Sequence, residues 1–259
     1  MKTGRLAVAG LVAALSLSGI AARADQVEHS FILTNDIDQM TDPDGRGGLD
    51  RVLAVVAAER AAKGDNALFV HAGDTFGPSL MSRFDEGAHI VDLLNLVPPD
   101  VFVPGNQEFD FGEAVFRQRV GDADFPVLAA NLSHPRGLMA GIQDTRIVEV
   151  DGVRIGFVGA IEEDAADLSE VGALRLSDPL AAAETTAQAL REAGADFVVA
   201  VMSTSNSVDQ RAIQSKAFDM LLSGDDHDLV AFYNGITAHA ESGSQGDYVT
   251  IVDVAFNVT

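Results

Sequence analysis

The chain has 259 residues, a formal net charge of −22, 47% hydrophobic residues and no cysteine. The missing cysteine excludes disulfides and thiolate metal sites, and the charge argues against a partner made of nucleic acid or an anionic membrane surface. The length and apolar share suit one large α/β domain or two small ones with a packed core.

Residues 1–24 are expected to be a signal peptide. Lys2 and Arg5 give a basic start, residues 6–20 form an apolar run short for a membrane span, and Ala22-Arg23-Ala24 is a small-x-small cleavage signal. Cleavage there leaves residues 25–259 as a single periplasmic or secreted domain without a membrane attachment. It also removes three cations and no acids, making the chain more acidic still.

Past the leader, residues 30–34 read as a strand. Leu49, Val52, Leu53 and Val56 recur at helical spacing, and Gly64 closes that helix. Residues 67–70 form a second strand, residues 90–96 a helix stopped by Pro98-Pro99, and residues 101–103 a third strand. Residues 125–128 read as a strand followed by a loop over 131–141. Residues 146–150 and 153–158, separated by Asp151-Gly152, are a hairpin. Ser177 is the expected N-cap of an Ala-rich helix with Pro179 near its first position and Gly194 after its last turn. Residues 197–202, 218–222 and 248–256 complete the strands. Strands alternating with helices indicate an α/β class.

Four of the apolar runs end in short polar motifs: Asn35-Asp36-Ile37-Asp38, Gly73-Asp74, Gly105-Asn106-Gln107-Glu108-Phe109-Asp110 and Gly224-Asp225-Asp226-His227. Ligands gather beyond the carboxyl ends of strands in open α/β sheets, so these motifs are candidates to converge. Their order resembles the metallophosphoesterase superfamily, specifically its 5'-nucleotidase branch. The corresponding blocks there read Asn-Asp-x-His, Gly-Asp, Gly-Asn-His-Glu-Phe-Asp and Gly-His-x-His. Asn131 after Ala129-Ala130 matches a further family position, and the resemblance covers essentially all of residues 25–259. It implies a two-sheet α/β/β/α sandwich.

The resemblance also implies a dinuclear metal site in which two ions about 3.5–4 Å apart clamp a phosphoryl group. Asp74 matches the bridging ligand. Asp36, Asp38 and His227 match the rest of one ion's set; Asn106, Ser203 and Asp225 match the rest of the other's. Three histidines of the pattern stand here as Asp38, Gln107 and Asp225, and a fourth as Ser203. A neutral serine hydroxyl is a poor ligand, and carboxylates in place of imidazoles favour Ca²⁺, Mg²⁺ or Mn²⁺ over Zn²⁺. The expectation is one divalent cation held by residues among Asp36, Asp38, Asp74, Asn106, Asp225 and His227, with no organic cofactor. Asn106 and Gln107 occupy the catalytic positions, but a glutamine amide cannot titrate near neutral pH. Losing a general acid costs about 10²–10⁴-fold in rate.

Asn131 and His239 are candidates for substrate contact; His239 reads equally as a loop or strand-pairing residue. His71, three residues before Asp74, reads as a strand-end residue. His29, His89 and His134 read as structural or exposed. The acidic stretch Asp42-Pro43-Asp44-Gly45 fails as an EF-hand because Arg46 takes a ligand position and no Glu closes the loop. With no Trp and two Tyr, nothing in the chain supports nucleobase recognition. Two readings follow: a binding or accessory protein with an unidentified protein or small-molecule ligand, or a hydrolase working with one metal ion.

Overall fold

The computed structural model describes residues 25–41, 45–137 and 139–258. The expected leader, residues 1–24, and the Asp42-Pro43-Asp44 segment lie outside them. The chain order is β1 (Asp25–Thr34), α1 (Leu49–Lys63), β2 (Ala67–His71), α2 (Ser82–Asp85), α3 (Ala88–Leu96), β3 (Val101–Phe102), α4 (Gly112–Asp122) and β4 (Val127–Leu128). It continues through β5 (Leu132–Ser133), β6 (Ile142–Gln143), β7 (Thr145–Val150), β8 (Val153–Ile161), α5 (Ala165–Leu168), β9 (Arg175–Leu176) and α6 (Pro179–Glu192). It ends with β10 (Phe197–Ser203), α7 (Asn206–Ser215), β11 (Met220–Gly224), β12 (Leu229–Tyr233), β13 (Ala238–Ser242) and β14 (Thr250–Val258).

Two mixed sheets form, ordered β14-β1-β2-β3-β4-β6 and β12-β13-β11-β10-β8-β7, with β5 and β9 as a separate ribbon. Strand alternation explains why they stack. In β10, Val199 and Val201 join the core shared by both sheets, whereas Val198, Ala200 and Met202 join a second cluster with Leu180, Ala183, Ala187 and Leu190 of α6 and Val208 and Ala212 of α7. Phe31 of β1 meets Phe157 of β8 and Phe197 of β10 across the sandwich, at centroid separations of 6.3 and 6.0 Å. Leu49, Val52 and Val56 of α1, Ile90 and Leu94 of α3 and Phe116 of α4 belong to the same central cluster. The expected α/β/β/α layering is therefore present.

The expected hairpin is β7–β8, in antiparallel register from Thr145↔Val158 to Val150↔Val153. Strand β1 is longer than its apolar run because β14 pairs with it from Asp25↔Val258 to Leu33↔Thr250. The N-cap of α6 is Asp178, one residue beyond the expected Ser177; its carboxylate accepts the Ala181 N–H at 2.9 Å, an interaction typically worth about 1 kcal/mol. The expected loop over 131–141 contains β5, which pairs with β9. Among the described residues no helix is long and apolar enough to cross a membrane.

Candidate metal centre

Parallel pairing of β1 with β2, β2 with β3, and β10 with β11 brings their carboxyl ends to one rim of the sandwich. Asn35 and Asp36 follow β1, Asp74 follows β2, Asn106 follows β3, Ser203 ends β10, and Asp225 and His227 follow β11. The motifs thus converge from both sheets.

Asp36 is 2% exposed, and its Oδ2 accepts Asn35 Nδ2 at 2.6 Å and the Asp225 N–H at 3.1 Å. That second bond joins the two sheets. Asn35 is itself fixed by the Ser242 N–H and the Gly243 carbonyl, so it sets the orientation of the Asp36 carboxylate. Asp36 Oδ1 is buried and lies 3.2 Å from His227 Nε2, its ion-pair partner. Asp36, Asp74, Asp225 and His227 all hold positive φ, at 54°, 59°, 97° and 60°. Left-handed backbone at non-glycine residues is uncommon and costs about 1–3 kcal/mol each. Here it recurs at four of the positions that the motif comparison singles out.

Glu108 organises the other half of the rim. Its buried carboxylate accepts four backbone N–H groups: Asp74 and Gly105 on Oε2, at 2.9 and 2.6 Å, and Thr75 and Phe76 on Oε1, at 2.8 and 3.0 Å. One side chain therefore ties the loop after β2 to the loop after β3. The Gln107 N–H donates to Asp74 Oδ1 at 2.9 Å. Gly105 has no room for a side chain, because a Cβ there would lie 2.3 Å from Asp74 Oδ1 and 2.5 Å from Ser203 Oγ. Ser203 Oγ and Asp74 Oδ1 thus both face Gly105, and Ser203 is 1% exposed with its hydroxyl oxygen unpartnered.

The remaining candidates divide. Asp38 is 8% exposed and its Oδ1 accepts Gln245 Nε2 at 2.6 Å. Asn106 and Gln107 are half-buried at the start of a 3₁₀ turn, Gln107–Phe109. Asn131 clamps β8 through the Ile161 N–H and carbonyl, and it also donates to the Ser177 carbonyl. His239 lies buried on β13, its Nε2 2.8 Å from Ser223 Oγ and 3.3 Å from Asp209 Oδ2. It also lines a cleft of about 680 Å³, between β12–β13 and β14, that none of the metal-ligand positions lines. His71 stacks on Phe102 and contacts Thr34 Oγ1 at 2.7 Å; burial pushes its imidazole down to about 3.

Electrostatics mark the rim as short of positive charge. Burial, then repulsion from Glu108, Asp36 and Asp225, holds the Asp74 carboxyl well above the usual carboxylate range. Burial raises Asp36 despite the Asn35 hydrogen bond. Burial with Asp226, Asp36, Glu162 and Asp164 nearby pushes Asp225 up to about 7. Among the described residues no three His, Cys, Asp or Glu side chains are arranged to hold a metal ion; His227 faces Asp36 directly instead. Asp36, Asp74 and His227 match one ion's positions in the motif comparison, but as placed Asp36 Oδ1 meets His227 Nε2 at 3.2 Å and the three do not form a ligand cluster. The Asn106, Ser203 and Asp225 set offers an amide, a hydroxyl and a carboxylate with a raised proton affinity, and does not fit a second tightly held ion.

Glu108 and Asn35 were missed as site residues from sequence, although both lie inside the motifs. Their roles run through backbone groups distant in sequence, which spacing cannot reveal.

A family model described as Calcineurin-like phosphoesterase matches residues 29–232. The chain is 28% identical over 214 residues to Protein 5NUC of Lutzomyia longipalpis, covering 80% of this chain and 36% of that one. It is 26% identical over 249 residues to a 5'-nucleotidase of Diplobatis ommata, covering 90% and 42%. It thus spans less than half the length of these curated relatives. Among solved structures, the fold is similar to the NAD nucleotidase of Haemophilus influenzae, with a TM-score of 0.79 at 23% identity, covering 90% of this chain and 54% of that one.

Glu108→Gln turns an amide N–H group against backbone donors, so it should lower the unfolding free energy by roughly 3 kcal/mol or more in urea melts. A loss under about 1 kcal/mol would show that the brace is dispensable. Glu241 gives a pH test. It is fully buried, accepts the Asp228 N–H at 2.9 Å, and is pushed up to about 8 by burial and by neighbouring Asp209, Asp36 and Asp226. Its native pKa lies above its unfolded value of about 4.3. Its stabilising contribution is therefore complete below pH 4 and is lost as pH rises through about 8. In chelator, thermal melts from pH 5 to 8.5 should fall for the wild type and fall less steeply for Glu241→Gln; parallel slopes would exclude this group as the source.

Proposed function

The chain belongs to the calcineurin-like phosphoesterase family, and from that premise we propose that it is an exported domain that binds one oxygen-preferring divalent cation and has little or no phosphohydrolase activity. It acts as a binding or accessory protein toward a protein or small-molecule ligand. The observation that carries this reading is Ser203, whose hydroxyl, not an imidazole, stands buried beside Gly105, the glycine that Asp74 also faces, where the motif comparison calls for the second ion's ligand.

Asp36, Asp74 and His227 would hold the cation, with Asp38 as the further candidate from the motif comparison. When bound, it would neutralise the carboxylates and polarise a phosphoryl oxygen. The chain's own groups supply little beyond that. Gln107 can donate a hydrogen bond but cannot deliver a proton to a leaving group. Asp110, raised by burial, accepts Ser169 Oγ at 3.0 Å and lies against Gly77. The large negative charge opposes anionic esters arriving from solvent. A hydrolase working with one ion is the second reading, favoured by the carboxyls of Asp36, Asp74 and Asp225 gathered at the rim.

Calorimetry should find at most one tight site for Ca²⁺, Mg²⁺ or Mn²⁺, and assays with generic phosphomonoesters and phosphodiesters should find negligible turnover with these ions in excess. Replacing Asp38, Gln107, Ser203 and Asp225 together by histidine should produce measurable activity, whereas Gln107→His alone should produce little. Ordinary enzymatic rates in the native protein, abolished by Asp36→Ala or His227→Ala, would overturn the accessory reading in favour of the second. A contaminating phosphatase would survive those substitutions.

A further inference from the structure

We infer that the cleft between β7 and the amino-terminal ends of β2, β3 and β4 binds a small zwitterion of net positive charge, whose carboxylate pairs with Arg146. The inference is independent of the cation reading, because this cleft lies at the opposite end of those strands from Asp74 and Asn106.

The cleft encloses about 630 Å³, a volume ordinary for a small-molecule site. One wall is β7. Strand alternation turns Arg146, Val148 and Val150 to one face, and all three line the cleft. The opposite wall comes from the segments that precede β2, β3 and β4, which contribute Asp65, Asp100 and Asp124. The Asn66 amide donates to Asp151 Oδ2 at 3.0 Å, which ties the turn before β2 to the turn between β7 and β8.

The two arginines of the cleft differ. Arg60 is matched: its Nη2 donates to Asp100 Oδ2 at 2.7 Å, and the same oxygen accepts the Phe69 N–H at 2.8 Å. Arg146 is half-buried, its Nε is buried with no hydrogen-bond partner, and among the described residues no carboxylate pairs with it. A buried cationic donor left unpaired is costly, and the guanidinium fork matches a carboxylate in both geometry and charge. The neighbouring acids select the rest of the ligand. Asp65, Asp124 and Glu149 are exposed, so Arg60 and Arg146 are outnumbered by the acids that line the same cleft, in a chain of net charge −22. A purely anionic ligand is repelled there, whereas one that also carries ammonium groups is attracted. A cationic amino acid combines both requirements: a carboxylate for Arg146 and amino groups for the exposed acids.

The experiment is a calorimetric titration of the purified protein with L-lysine, L-glutamate and cadaverine, which is lysine without its carboxylate. It uses the wild type, Arg146→Met and Arg146→Lys, with circular dichroism to confirm that each is folded. The wild type should bind L-lysine at one site, and cadaverine and L-glutamate at least about tenfold more weakly. Arg146→Met should weaken L-lysine binding by roughly 10–100-fold without weakening cadaverine binding. Arg146→Lys keeps the charge and loses the fork, so it should also lose the preference for L-lysine over cadaverine; it carries the test if Arg146→Met does not fold. Equal wild-type affinity for L-lysine and cadaverine would overturn the inference, since it would reflect attraction to the acidic surface alone. An L-lysine affinity that neither substitution moves, tighter binding of L-glutamate than of L-lysine, or no uptake of L-lysine would overturn it too.

Discussion

Four backbone N–H groups converge on one buried carboxylate, Glu108, and the geometry of the rim follows from that contact. The loop after β2 carries Asp74 and the loop after β3 carries Asn106. Glu108 supplies the missing acceptor to both loops. On the opposite side, Asn35 and the Asp225 N–H fix the Asp36 carboxylate from the second sheet. The rim is thus assembled by hydrogen bonds that cross between loops and between sheets.

That assembly has an electrostatic cost. Asp36, Asp74 and Asp225 are brought together at a partly buried rim in a chain with a net charge of −22, and their carboxyls respond by holding protons to higher pH. Left-handed backbone at Asp36, Asp74, Asp225 and His227 adds local strain. Strained, charge-crowded positions are where folds keep function at the expense of stability. A single divalent cation would relieve most of the crowding. A second would need Ser203 to act as a ligand, which a neutral hydroxyl does poorly.

Much of the fold was legible in the sequence, for identifiable reasons. The β7–β8 hairpin announced itself through two apolar runs around Asp151-Gly152, and α1 through Leu49, Val52, Leu53 and Val56. Helices α4 and α7 were less visible, because α4 carries a buried Arg119 and α7 is rich in Ser, Asn and Gln. Strand β12 is an edge strand with exposed Leu229, Phe232 and Tyr233, and β13 buries His239 and Glu241; both invert the usual inside–outside pattern. The motif order predicted the placement of Asp36, Asp74, Ser203, Asp225 and His227 on one rim. It could not show the pairing of Asp38 with Gln245 or the brace from Glu108, because both depend on partners that only the folded chain brings near.

The central proposal is that this rim holds one cation and not two. Anomalous diffraction from crystals of the protein grown with excess Mn²⁺ tests it most directly. The account predicts one strong peak beside Asp36, Asp74 and His227 and none beside Asn106, Ser203 and Asp225. Two full peaks sharing Asp74, or none at all, would contradict it.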